Sequence, residues 1–372
     1  MEKRKNLHHN IQAVVMAVLF AAGGGLLWAA RRVTGFAEWY SRTIYPVLVE
    51  TIGRFWGIIP VSVVEIFLYA GVCLLIILLA KYWRTPFRLI LHYGTIVAAL
   101  LFLYAACCGV NYYRVPFSSY YISALVEKRA QAAESQNAAA LAETETETDR
   151  NVDLKALCAW LTEQVNLAKI DLDQSDGNYE NMQAKGVAAM NRLAEQYPAL
   201  AGFYPQPKPV MVSEILSVQQ CSGVYSPFTI EANYNNDMIA YNIPHTICHE
   251  MSHLRGFMRE DEANFIGYLA CLGSEDADYR YSGYLFGWIY AGNALAKVDF
   301  EEYVRLHGLL NPDTIAELEA NSAFWDRYEG TAAKVQEKVN DTYLKANGQA
   351  EGVKTYGRVV DLMLLDFVEK RK

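Results

Sequence analysis

The 372-residue chain is poor in the residues that build the common small-site chemistries. It has seven cysteines and seven histidines, and no two cysteines stand in a C-x-x-C spacing. That excludes the usual zinc-ribbon and thiol–disulfide motifs. Cys158, Cys221, Cys248 and Cys271 lie downstream of residue 114 and read as small buried thiols. No internal repeat is present, so repeat architectures are excluded. A basic surplus is also missing: Lys+Arg number 33 against 41 Asp+Glu, a net charge of −8. Residues 1–114 hold eleven Lys+Arg against four Glu, which leaves −15 for residues 115–372. Phosphate binding needs a basic face, so nucleic acid is excluded as a partner of the downstream region.

What is present at the front is hydrophobic. Ile11–Ala30, Val61–Ala80 and Leu89–Val110 are each near the roughly 20 residues that cross a bilayer as a helix. Glu65 is the one Asp, Glu, Lys or Arg within them, which argues against a transport path. Arg31-Arg32 stands where a cleavable signal would need small residues, so the first run reads as an uncleaved anchor. Residues 1–114 are therefore expected to form a three-span membrane domain with the lipid bilayer as partner. Lys3, Arg4 and Lys5, with Lys81, Arg84 and Arg88, favour a cytoplasmic N-terminus and an extracytoplasmic region 115–372 in the cell membrane. Arg31, Arg32, Arg42 and Arg54 weigh against that orientation. The aromatic stretch from Phe36 to Ile59 reads as an interfacial segment, and Asn111–Tyr121 as an exit through the headgroup layer.

Residues 115–152 read as a linker helix ending in a mobile acidic stretch. From 153 to 372 a folded domain is expected. Leu154, Leu157, Trp160 and Leu161 repeat with helical spacing after Asp153, and a second helix spans about Tyr179–Tyr197. Val210–Tyr234 favours β-branched and aromatic residues and predicts two or three short strands. Helix resumes at Pro244, a residue suited to a first turn.

That helix carries His249-Glu250-Met251-Ser252-His253. On a helix, residues four apart share a face, so both imidazoles can address one ion. Glu250 is then placed to act as general base on a water held there. Gly256 is a helix stop, and a second helix is expected from about Arg259. Its residues Glu260, Ala263, Asn264, Gly267 and Cys271 form a small, polar face that lets two helices approach. Glu260 is the third-ligand candidate, with Glu262 as fallback because only six residues separate His253 from Glu260. His245 lies one turn before His249 and reads as a supporting residue. For the oxyanion of peptide hydrolysis, the candidates are Tyr281 and Arg280. The stretch Ile230–Tyr234 is expected to offer a sheet edge to an extended substrate.

The metzincin pattern matches through Gly256 and then fails at Arg259, which cannot ligate zinc. Glu260-Asp261-Glu262-Ala263-Asn264 resembles the gluzincin-like E-x-x-A-[DN] helix of membrane-anchored zinc peptidases. That resemblance implies Glu260 as ligand and Asn264 as the partner of a ligand histidine. With Ser226–Thr229 and Pro244–His253, the chain resembles a family of uncharacterised bacterial membrane proteins with several spans and a zincin-like domain. The fold expected is mainly α: N-terminal transmembrane helices followed by an α+β, zincin-like metallopeptidase domain with a small sheet and the HExxH helix. The function expected is a membrane-anchored metallopeptidase with one Zn²⁺, acting on peptides or proteins at the membrane surface. A zinc-binding receptor or scaffold with little turnover is the alternative.

Overall fold

A computed structural model describes residues 2–135, 147–176, 178–347 and 358–371. The expected acidic mobile stretch falls largely at 136–146, outside the described residues. The fold is mainly helical with one small sheet.

Among the described residues, three helices are long and apolar enough to cross a membrane, as befits a membrane protein. They lie in α1 (Glu2–Arg32), which follows the first apolar run, α5 (Val63–Tyr82) and α6 (Pro86–Cys107). The expected spans are right in number, with boundaries shifted by two or three residues. Most side chains of α5 are exposed, including Ile66, Phe67, Val72 and Ile76, the surface a lipid solvent requires. α1 packs along α6, and α5 makes a smaller contact with α6.

Between α1 and α5 the chain folds as α2 (Phe36–Thr43), α3 (Tyr45–Leu48), a π turn (Val49–Gly53) and α4 (Arg54–Gly57). This segment is only partly interfacial. Trp39, Phe55 and Ile58 are exposed, whereas Tyr40, Tyr45 and Val49 are buried in the downstream core. Residues 109–121 depart further from the expected headgroup exit. Val110, Asn111, Tyr112, Phe117 and Tyr121 are buried, because Phe117 and Tyr121 pack edge-on against Phe257 and Phe265 respectively. The bundle end and the downstream region therefore share one core.

Downstream come α7 (Phe117–Ser135), α8 (Glu147–Gln174), α9 (Met182–Gln196) and the short α10 (Glu214–Ser217). The sheet is β1 (Lys208–Pro209), β2 (Gly223–Ser226) and β3 (Glu231–Tyr234), in the order β1-β3-β2. β3 is parallel to β1 and antiparallel to β2. It is therefore the central strand, and Ile230–Tyr234 is not the free edge that was expected; its backbone is used on both sides.

The site helices are α11 (Asn242–Leu254) and α12 (Glu260–Leu272), followed by α13 (Ala277–Val298). Then come α14 (Phe300–His307), α15 (Pro312–Asp326), α16 (Thr331–Ala346) and α17 (Arg358–Arg371). α11, α12 and α13 pack on one another, and α8, α9 and α17 close around them.

Candidate metal centre

α11 is positioned by its apolar face. Ile243, Ile247, Met251 and Leu254 are buried, at the i, i+4, i+8, i+11 spacing of a single stripe, where α11 packs on β3 and α9. His249 and His253 project from another face, one turn apart. The helix ends at Gly256, whose φ of 86° is the left-handed conformation favoured at such a stop. A Cβ there would lie 3.2 Å from Arg114. The stop itself is braced from the bundle side. Arg114 donates to the Arg255 carbonyl at 2.9 Å, and the Tyr45 hydroxyl donates to the Leu254 carbonyl at 2.9 Å. The Tyr45 oxygen is also 2.8 Å from the Tyr225 hydroxyl.

Gly256 lets the chain reverse so that α12 starts at Glu260, its first turn carrying Glu260, Asp261 and Glu262, where a helix dipole favours negative charge. Gly267 lets α12 approach α11; a Cβ there would lie 3.0 Å from His245 Nε2. The small face read from the sequence is the face that meets α11.

The result is a convergence of three donors. His249 Nε2 lies 3.3 Å from one Glu260 oxygen and His253 Nε2 lies 3.8 Å from the other. The two Nε2 atoms are 3.0 Å apart. Among the described residues, His249, His253 and Glu260 form the one cluster whose ligand atoms all lie within 4.8 Å of each other. The opposite ring nitrogens are committed elsewhere. His253 Nδ1 contacts the Phe257 carbonyl at 2.8 Å. A carbonyl only accepts, so Nδ1 carries the proton and Nε2 the lone pair. His249 Nδ1 contacts Asn264 Oδ1 at 2.8 Å, which gives the same tautomer. Two lone pairs facing each other at 3.0 Å, beside a carboxylate, repel unless a cation or a proton lies between them. Two imidazoles and one carboxylate form a donor set suited to zinc.

Burial and the neighbouring carboxylates act on the two histidines in opposite directions. Burial pushes His253 down to about 4, keeping it neutral. Burial opposes protonation of His249 too, but Glu260 and Glu250 outweigh it and raise its pKa. Glu260 is driven up by burial yet held below its ordinary value by the two histidines. Glu250 is pushed to about 8, chiefly by burial, with the nearby Glu260 charge adding to the rise. Its Oε2 is buried without a hydrogen-bond partner. Gly223 of β2 makes room for this carboxyl: a Cβ there would lie 2.6 Å from Glu250 Oε1.

The donors and Glu250 open onto a cavity of about 720 Å³. Its walls come from β2, α11, α12, α13, α15, α16 and the end of α6. His245 stacks on Phe286 with ring centroids 3.5 Å apart, and its Nε2 contacts the Asn264 carbonyl at 3.1 Å. It therefore supports α12 and Asn264 from behind. Glu262 points the other way, toward the backbone of Phe117, so it is no substitute for Glu260.

Two expected donors do not face the cavity. Tyr281 contacts Thr314 at 3.0 Å and Glu317, and Arg280 holds Ser274 at 2.9 Å and Asp171. The cavity face of α13 is Ser282, Phe286, Ile289 and Tyr290, so positions 280 and 281 are turned away from it. The tyrosines that do line the cavity include Tyr112, Tyr290 and Tyr343. Burial pushes the Tyr290 hydroxyl up to about 12, keeping it a donor.

The chain belongs to a family described as protein of unknown function (DUF3810), whose model matches residues 40–364. No curated protein and no solved structure matches it.

Proposed function

We propose that this chain is a membrane-anchored zinc metallopeptidase with a zincin-like domain, hydrolysing peptide bonds in peptides or proteins at the membrane surface. The observation that carries the reading is the convergence of the His249 and His253 Nε2 atoms with the Glu260 carboxylate, beside the unpartnered Oε2 of Glu250. His249, His253 and Glu260 would hold one Zn²⁺. When bound, the ion supplies Lewis acidity that makes a water acidic near neutral pH and polarises a carbonyl.

The protein's own residues supply the rest. Asn264 and the Phe257 carbonyl hold the two imidazoles in the tautomer that leaves Nε2 free. The Glu250 carboxyl, raised by burial, would ionise more readily with positive charge held by the three donors. Glu250 then accepts a proton from the attacking water at Oε2 and returns it to the leaving amine. Tyr290 and Tyr343, rather than Arg280 and Tyr281, are the cavity-lining donors suited to steady charge on the carbonyl oxygen.

Orientation is part of the proposal. The start of α1, near His9, lies by the α5–α6 connection at Thr85–Arg88, so Lys81, Arg84 and Arg88 share the bundle end away from the metal centre. Basic residues favour the cytoplasm, which supports an extracytoplasmic metal centre. Two arginines that weighed against this have partners at the other end: Arg31 donates to the Ala346 carbonyl at 3.1 Å, and Arg54 pairs with Glu50 at 2.6 Å.

The test is metal content and peptide hydrolysis by the purified full chain, with Glu250→Gln alongside. Near-equimolar zinc with turnover that Glu250→Gln abolishes supports the peptidase. Zinc without turnover, unchanged by Glu250→Gln, favours the receptor or scaffold; a folded protein without zinc rejects both.

A further inference from the structure

The metal centre is fixed to the ends of the spans rather than carried on a free domain. Cys108, the residue after α6, lines the cavity together with His253 and Glu260. Its Sγ lies 3.7 Å from Met258 Sδ, and Met258 is two residues from Glu260, at most about 7 Å of backbone. The donor cluster is thus on the order of 15 Å from the end of α6. The headgroup layer itself occupies about 5–8 Å on each side of the hydrocarbon.

A second connection holds the opposite wall. The Glu65 carboxylate, in the first turn of α5, accepts from Met211 N at 2.7 Å and Val212 N at 2.9 Å. In return the Glu231 carboxylate of β3 accepts from Val63 N at 3.3 Å and Val64 N at 3.0 Å, and pairs with the buried Lys208. The segment from Met211 to Tyr225 therefore begins on the head of a span and ends as the cavity wall beside Glu250. Met211 and Val212 are exposed at that head, and Val224 is exposed at the cavity. On the far side, α16 is tied to two further spans: Asn347 accepts from Tyr104 of α6 at 2.6 Å, and Arg31 of α1 donates to Ala346. Val339 of α16 is exposed and lines the same cavity.

From this placement we infer that the cavity takes an extended peptide segment held within a few residues of a membrane anchor, either a lipid-modified chain or a membrane-spanning one. The inference rests on the peptidase reading and names its substrate class. An extended chain covers about 15 Å in roughly five residues, so a juxtamembrane segment reaches the donors directly. A folded soluble protein would have to press its own surface against the headgroups.

The test uses the full chain, zinc-loaded, in phosphatidylcholine–phosphatidylglycerol vesicles. One cleavable sequence is offered free, on an acyl anchor and on a transmembrane helix, with spacers of about 5 or about 30 flexible residues. The expected result is cleavage at least tenfold faster with the short spacer than with the long one or the free peptide. The two anchors separate lipid-modified from membrane-spanning substrates. Equal rates for free, long-spaced and short-spaced peptides would overturn the inference while leaving the peptidase intact. In parallel, full-length Glu250→Gln is photo-crosslinked to the same peptides. Crosslinks at Val224 and Val339 from the short-spaced peptides alone, even without turnover of any peptide by the wild type, uphold the inference and reject the peptidase. Neither crosslinks nor cleavage rejects both.

Discussion

α11 and α12 on one side of the cavity, and α16 on the other, are walls of the same space built in opposite ways. Almost every residue of α11 and α12 is buried, and the α11 C-terminus is held by Arg114 and Tyr45. α16 has a single buried residue, Leu344, and no side-chain cap at its start. It is held mainly at its C-terminal end, with Tyr343 beside Cys108 at 3.4 Å and Asn347 on Tyr104. Donor geometry is thus over-determined by packing, whereas the opposite wall rests on a few hydrogen bonds, each contributing about 0.5–1.5 kcal/mol. Elements of low local stability are where access can vary without disturbing the donors.

The sharpest way to break this comparison is to remove a donor. His253→Ala should cost the chain its near-stoichiometric zinc, read by metal analysis, as should exhaustive chelation of the wild type; zinc retained in His253→Ala would remove the metal centre from the argument. Glu250→Gln should keep its zinc and lose about 10²–10⁴-fold in hydrolysis, the usual worth of a positioned general base. Glu231→Ala leaves Lys208 buried without its partner and frees the first turn of α5, so denaturant or thermal unfolding should report a loss of about 3–5 kcal/mol. Restoring neutrality with Lys208→Met in the same chain should recover part of that loss. Asn264→Ala should weaken zinc about 10–100-fold by releasing the His249 ring, with little change in overall stability.

The smallest effects belong to α16. Asn347→Ala should cost less than about 1.5 kcal/mol. Amide exchange in α16 should be far faster than in α11 and α12; equal protection would show that the two walls are not different after all.

Much of the candidate metal centre was legible because its signals are local. The i, i+4 spacing of His249 and His253, the Gly256 stop and the small face from Glu260 to Cys271 all depend on helical geometry, which a sequence expresses directly. The oxyanion candidates were misjudged for the converse reason. α13 carries aromatic residues all round its circumference (Tyr279, Tyr281, Tyr284, Phe286, Trp288, Tyr290), so no pattern selects one face. Its rotation is decided by packing against α8, α11 and α12. β3 looked like an edge because a strand's neighbours are not written in its own residues; Lys208–Pro209, more than twenty positions upstream, closes its other side.

By itself, the sequence determined three apolar helices and the presence of two imidazoles at helical spacing with a carboxylate shortly downstream. These follow from composition and periodicity, which need no knowledge of the rest of the chain. Only the tertiary structure decided that Tyr45 of α3 and Arg114, both from segments beside the spans, brace the end of the histidine helix. Only there does Glu231 cap α5 while Glu65 grips the Met211 segment, and only there does α16 close the cavity. Those contacts join residues tens to hundreds of positions apart, and their free energy exists only once the chain has already folded into one core.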